Sequence, residues 1–154
     1  MICISGTPGV GKSTVSRELR NMGYTVLGVH DIPGAGQCFE GEEADVECLA
    51  QHAGGLGESA IIEGHYSHLL GCQYVFILYR EEDRIRTSLE ARGYVAAKIE
   101  ENLEAQRCDE FFSESLEQLP RGRIFRIRVI EGNPAAAARE IDSTIKALMG
   151  NGQP

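Results

Sequence analysis

Residues 6–13 read Gly6-Thr7-Pro8-Gly9-Val10-Gly11-Lys12-Ser13, a match to G-x-x-x-x-G-K-[ST]. Each position has a chemical reason. The glycines let the backbone curl so that successive N–H groups point inward at phosphate oxygens. A helix starting near Lys12 adds its positive N-terminal end. The Lys12 ammonium is of a length to reach β- and γ-phosphates, and the Ser13 hydroxyl suits the magnesium ion that bridges them. The motif therefore predicts a nucleoside triphosphate site and leaves the reaction open.

Such a loop needs a second acid near the metal, usually at the end of a neighbouring apolar strand. Glu63 directly follows Ala60-Ile61-Ile62, whereas Asp31 trails the run 24–29 by a short step, so Glu63 is the better placed. His65 sits two residues beyond Glu63 and could place a water or a phosphate; a purely structural imidazole is the equal alternative. His68 reads as structural or exposed. Phosphoryl transfer also calls for mobile cations and exclusion of water. Arg92-Gly93-Tyr94 through Lys98, lying between two helical stretches, has the build of a lid; the plainer reading is a helix-capping Gly93 beside solvated cations. Neither histidine nor cysteine spacing suggests a zinc site.

The elements around these residues alternate. Apolar runs at 1–5, 24–29, 59–63, 73–79 and 123–131 read as strands. Helical spacing appears over 12–22, 42–53 (acidic), 81–91, 97–118 (the longest, with Ile99, Leu103, Phe111 and Leu116 on its apolar side) and 134–149. The tail from 150 is expected to fray. Strands alternating with helices predict one α/β domain over 1–154, with a parallel sheet covered on both faces. Segments 30–57 and 92–98 fit the alternation least well, and long loops in such folds are often functional.

Composition narrows the classes. The 154 residues carry 42% hydrophobic and 25% charged residues, ordinary for a globular chain able to fold without a staple. With 15 basic against 23 acidic residues, the net charge of −8 disfavours holding naked nucleic acid by bulk electrostatics. No apolar run approaches the roughly 20 residues of a membrane span, and no charged leader precedes the first strand, so a cytoplasmic protein is expected. Five cysteines without a C-x-x-C pair suggest no disulfide framework and a reducing compartment. Cys3 and Cys72 read as small core hydrophobes.

The motif residues resemble the adenylate kinase isoenzyme 6 family in its archaeal form. Gly6 to Thr14 is similar to that family's P-loop, and Ile61-Ile62-Glu63-Gly64-His65-Tyr66-Ser67-His68 to its Walker B segment. Leu89-Glu90-Ala91-Arg92-Gly93-Tyr94, with Lys98-Ile99 and Glu101 to Ala105, is similar to its lid and the following helix. The resemblance implies a P-loop nucleoside monophosphate kinase fold with strand order 2-3-1-4-5, an acceptor segment at about 30–57 and a lid at about 91–101. It implies ATP and Mg2+ as cofactors, AMP or another nucleoside monophosphate as acceptor, and slow ATP hydrolysis. It also implies ribosome biogenesis and rRNA processing, through a platform protein of the small ribosomal subunit. By position, Gly9, Gly11, Lys12, Ser13, Thr14 and Arg92 would hold ATP. Ser13 and Glu63 would serve magnesium, Glu63 directly or through water. Lys12, Glu63, His65 and Arg92 would form the catalytic set.

Two departures from the family pattern stand out. Ser88 occupies the place of an arginine four residues before Arg92, and segment 30–57 contains no arginine or lysine. An acceptor phosphate normally pairs with arginine. Arg84 or Arg86 is therefore expected to bind the acceptor, or acceptor binding is poor and ATP hydrolysis dominates. A small-molecule kinase with another acceptor is a further alternative. The dense basic stretch Arg121, Arg123, Arg126 and Arg128 reads as a charge-protected edge strand, with contact to rRNA as the alternative. The acidic run Glu40 to Glu47 reads as a solvated helix face, or as a landing surface for a basic ribosomal protein.

Overall fold

The computed structural model describes residues 1–150. Strand β1 (Ile2–Ser5) leads through the glycine-rich loop into helix α1 (Lys12–Asn21). Then come β2 (Val26–Gly28), a short hairpin β3 (Phe39–Glu40) and β4 (Glu43–Ala44), and α2 (Val46–Ala53). Strand β5 (Ile61–Glu63) and β6 (Tyr74–Tyr79) precede α3 (Glu82–Ala91), α4 (Ala96–Arg107) and α5 (Glu110–Leu116). Strand β7 (Ile124–Arg128) and α6 (Pro134–Gly150) complete the chain. Among the described residues no helix is long and apolar enough to cross a membrane.

Five strands form a parallel sheet in the order β2-β5-β1-β6-β7. With the hairpin set aside, the parallel strands taken in chain order run 2-3-1-4-5. Side chains alternate between two cores. Ile2 and Ile4 of β1, with Phe76 and Leu78 of β6, meet Val15, Leu19, Ile85, Leu89, Ile99, Leu103, Ala138 and Ile141 from α1, α3, α4 and α6. Cys3, Ile62, Val75 and Ile77 face the other way, onto Leu49 of α2 and Phe112 of α5. Burial on both faces explains why the strand sequences are continuously apolar rather than alternating.

Three expectations are corrected. The acidic helix expected over 42–53 starts only at Val46; Glu43 and Ala44 pair instead with Glu40 and Phe39 in the hairpin, and the Asp45 carboxylate caps α2 by accepting from the Cys48 N–H at 3.0 Å. The single helix expected over 97–118 breaks at Asp109, which has φ 52°. The break sends the chain from one face to the other, with Leu103 in the first core and Phe112 in the second. The apolar positions share one helical period, so the pattern gave no sign of the crossing. Cysteine pairing was also missed: Cys3 is disulfide-bonded to Cys72, and Cys38 to Cys48, with Cα–Cα distances of 5.9 and 5.4 Å. The partners are 69 and 10 residues apart, so only the fold brings them together. Cys3 and Cys72 are buried as expected. Of the tail expected to fray, Gly150 ends α6, and 151–154 lie outside the described residues.

Candidate active site

Strand β1 lies mid-sheet, so the connections leaving β1, β5 and β2 at their C-terminal ends open side by side. Register fixes this: Glu63 is the partner of Ile4 on one side and of Gly28 on the other. The Gly64 N–H donates to the Ile4 carbonyl at 3.1 Å and extends the pairing one residue past the strand.

The loop after β1 needs its glycines. Gly6, Gly9 and Gly11 have φ of 147°, 85° and 108°. A Cβ on Gly6 would also lie 2.8 Å from the Leu78 carbonyl oxygen. L-residues rarely adopt this backbone, so the curled loop is encoded by composition. Lys12 opens α1 and folds back across the loop, donating to the carbonyls of Gly6 (2.6 Å) and Thr7 (3.0 Å). Burial pushes the Lys12 ammonium from 10.5 down to about 8; Glu63 opposes the fall and Arg92 adds to it. Ser13 and Thr14 are exposed in the first turn of α1.

Both candidate acids converge on one place. An added Cβ on Gly28 would sit 3.2 Å from Asp31 Oδ2 and 3.5 Å from Glu63 Oε1. The two carboxylates therefore flank the same glycine, and the absence of a side chain there leaves the space between them open. One cavity of about 320 Å³ gathers Lys12, Gly28, His30, Asp31, Glu63, His65, Arg92 and Tyr94. His65 is held below the ordinary imidazole range, by burial first and then by Lys12. It is a neutral acceptor and donor at pH 7. His68 takes the structural course: it is buried, bonded to Ser5 Oγ through Nδ1 at 2.7 Å, and pushed down to about 4 by burial.

Arg92 enters this cavity from the turn between α3 and α4, where Gly93 has φ 80°. The turn is shorter than the expected 92–98. Lys98 already lies in the first turn of α4, exposed and paired with Glu101 at 3.2 Å, and does not line the cavity. Arg84 and Arg86, expected to take the acceptor, are not brought there either. Arg86 pairs with Glu100 at 2.6 Å, and Arg84 lines a separate hollow with Arg80, Arg128 and Val129. Both point away because α3 turns its apolar face, Ile85 and Leu89, onto the sheet.

Two supports for the loop escaped the sequence reading. Arg80 directly follows β6 and donates to the Gly9 carbonyl (3.0 Å), to Ser88 Oγ (3.1 Å) and to Glu131 (2.7 Å). Ser88 is thus a partner of a different arginine. Thr7 Oγ1 donates to the Asn102 carbonyl at 3.2 Å and ties the loop to α4. A cation directly after an apolar run was the available signal for Arg80; nothing in the spacing pointed to Asn102. Two arginines of the basic stretch find carboxylate partners within the chain. Arg126 pairs with Asp109 at 2.7 Å and covers the Phe112 ring at 3.9 Å, and Arg128 reaches Glu81 at 3.7 Å.

Comparison with known proteins bears on the family and the fold. Residues 2–109 match the family model described as an AAA domain. The chain is 45% identical to a protein of Thermoplasma acidophilum named putative adenylate kinase, over 88% of this chain and 91% of that one. A Thermoplasma volcanium protein of the same name is 42% identical over 97% of this chain and 96% of its own. Among solved structures, shikimate kinase from Acinetobacter baumannii in complex with shikimate superposes with TM-score 0.66 at 15% identity, covering 99% and 94% of the two chains. A gluconokinase from Sinorhizobium meliloti gives TM-score 0.57 at 17% identity, covering 99% and 97%. These two likenesses concern the fold alone.

Proposed function

The chain belongs to the family of archaeal proteins named putative adenylate kinase, and from that premise we propose that it is an ATP-dependent nucleoside monophosphate kinase. The proposed reaction is ATP + AMP = 2 ADP, with tolerance for other monophosphates and a slower ATP hydrolysis. The observation that carries this reading is the single cavity that unites Lys12, the Asp31–Glu63 pair, His65 and Arg92 at the C-terminal ends of parallel strands.

In this reading the loop N–H groups and Lys12 hold the β- and γ-phosphates of ATP. Lys12 stays mostly protonated at pH 7 and gains a stronger hold on its proton when phosphate arrives. The residues suit magnesium: two carboxylates open onto a common space over Gly28, and all donors are hard oxygens when Ser13 is included. Bound there, the ion would neutralise charge on the phosphates. Arg92 offers a planar fork to the γ-phosphate oxygens, where charge spreads during transfer. Neutral His65 can donate to a phosphate or hold the attacking group without adding charge.

A second reading gives hydrolysis the larger share, with the protein acting on a small-subunit ribosomal protein during rRNA processing. The observation that favours it is the shortage of cations on the acceptor side. The cavity's lysine and arginine are Lys12 and Arg92 alone, while Glu40, Glu42, Glu43 and Glu47 stand exposed around the hairpin and α2. Such a surface attracts a basic partner. ADP formation from ATP, measured with and without AMP, separates the two. Strong dependence on AMP supports the kinase. Turnover indifferent to AMP and raised by a basic ribosomal protein overturns it.

A further inference from the structure

Cys38, Cys48 and His52 lie in the segment between β2 and β5, on the side of the sheet away from the nucleotide loop's core. No step of phosphotransfer uses them. Their ligating atoms all fall within 4.8 Å of one another. His52 Nδ1 stands 3.5 Å from Cys38 Sγ and 3.8 Å from Cys48 Sγ. With metal–sulfur bonds of about 2.3 Å and metal–nitrogen bonds of about 2.0–2.1 Å, tetrahedral angles put sulfur and nitrogen about 3.5 Å apart. The two sulfur–nitrogen spacings in the disulfide form are close to that figure, and binding requires the sulfurs, bonded to each other there, to separate to about 3.8 Å.

The local structure explains why the three groups meet. Cys48 and His52 are four residues apart on α2 and share a face. The Asp45 cap fixes the start of that helix and leaves Cys48 in its first turn, where thiolate is favoured. Cys38 reaches in from the turn before β3, buried against the second core. The His52 ring is set by Gly34, at φ 85°: any Cβ there would collide with the ring. The ring is therefore packed in place, with the nitrogen nearest the sulfurs also 2.9 Å from the Cys48 carbonyl oxygen.

We propose that Cys38, Cys48 and His52, when the cysteines are reduced, form a site for a zinc-class divalent cation, mutually exclusive with the Cys38–Cys48 disulfide. The balance is simple. A dithiol reductant gives two electrons and two protons to the disulfide and leaves as its own disulfide. The two thiols release those protons on binding the cation. In the disulfide form Nδ1–H donates to the Cys48 carbonyl; on binding the cation the imidazole shifts that proton to Nε2 and releases Nδ1 to the metal. Thiolate and imidazole donors select zinc over magnesium, so the site does not compete for the ion of the nucleotide cavity. It holds α2 against the turn at 35–38, and its occupancy is independent of whether the protein is a kinase.

The test uses full-length protein carrying Cys108→Ser, which removes the exposed free thiol, reduced with a phosphine and titrated with Co2+ and then Zn2+. One equivalent of Co2+ should give thiolate-to-cobalt charge-transfer absorption with tetrahedral visible bands, displaced by Zn2+. Oxidised protein should give neither. His52→Gln should weaken binding at least tenfold, and Cys48→Ser should abolish the charge-transfer band. Circular dichroism checks that each variant is folded, and His52→Gln serves as the decisive variant if Cys48→Ser is not. Octahedral cobalt spectra, or identical affinity in reduced, oxidised and His52→Gln protein, overturn the assignment.

Discussion

Replacing Lys12 with methionine separates what the residue does for chemistry from what it costs the fold. Holding the ammonium in the loop lowers it from 10.5 to about 8, which corresponds to about 3 kcal/mol in favour of the neutral form. That is an upper bound, because the side chain is only partly buried and solvent screens it. Methionine keeps most of the length and removes the charge, but leaves the Gly6 and Thr7 carbonyls to water, at about 1 kcal/mol. Lys12→Met should therefore stabilise the nucleotide-free protein by about 1–2 kcal/mol at pH 7. The sign has a signature in pH. In the native state the lysine releases its proton as pH passes about 8, whereas the unfolded chain keeps it to 10.5. Wild-type stability from this group therefore rises between those values, and the advantage of Lys12→Met should shrink there. Urea unfolding at pH 7 and pH 9.5 measures this. In the same protein, phosphotransfer should fall by about 10²–10³. A variant less stable than wild type by more than about 1 kcal/mol would show that Lys12 supports the loop and would refute the reasoning.

Other substitutions probe the remaining groups. Glu63→Gln should lower magnesium-dependent turnover by about 10–100-fold while ATP binding changes less, and adding Asp31→Asn should deepen the loss because the two carboxylates flank one space. Unchanged turnover in the double variant excludes both as metal-serving acids. Arg92→Ala and Arg92→Lys should both lose turnover severely at near-constant melting temperature, since a lysine cannot reproduce the bidentate fork; wild-type rates in Arg92→Lys would reduce the residue to a helix cap. Gly34→Ala should lower the melting temperature and weaken Co2+ uptake by the reduced protein, because its Cβ and the His52 ring compete for the same volume. Retained stability and uptake would show that the ring moves aside at no cost.

What was legible in the sequence was whatever depends on local spacing. Gly6 to Gly11 can only be a loop, given three glycines that adopt positive φ, and the motif spacing places Lys12 directly after it. The central strands were legible because burial on both faces leaves no polar residue inside them, and Glu63 because it ends one. What stayed hidden depended on contacts between distant segments. Arg80 braces Gly9 across 71 residues, and Asn102 meets Thr7 across 95. Arg84 and Arg86 carried the right charge, but the helix phase set by Ile85 and Leu89 directs them elsewhere. The second half of the hairpin, 42–44, was read as helix because its acidic residues suit either conformation, and the choice falls to the pairing of Phe39 with Ala44.

The break at Asp109 has a mechanical side. Helix α4 is 12 residues long, about 18 Å at 1.5 Å per residue. One end abuts the turn that carries Arg92. The other, Arg107, lies shortly before Asp109, which is pinned to β7 through Arg126. A pivot of α4 about that pinned end would act on the turn that carries Arg92. A rotation of about 10° there would sweep the far end through about 3 Å, the reach of one hydrogen bond. Thr7, joined to Asn102 near mid-helix, would travel about half as far. Such a pivot would move the arginine and pull on the phosphate loop together, in a ratio fixed by where along the helix Asn102 falls.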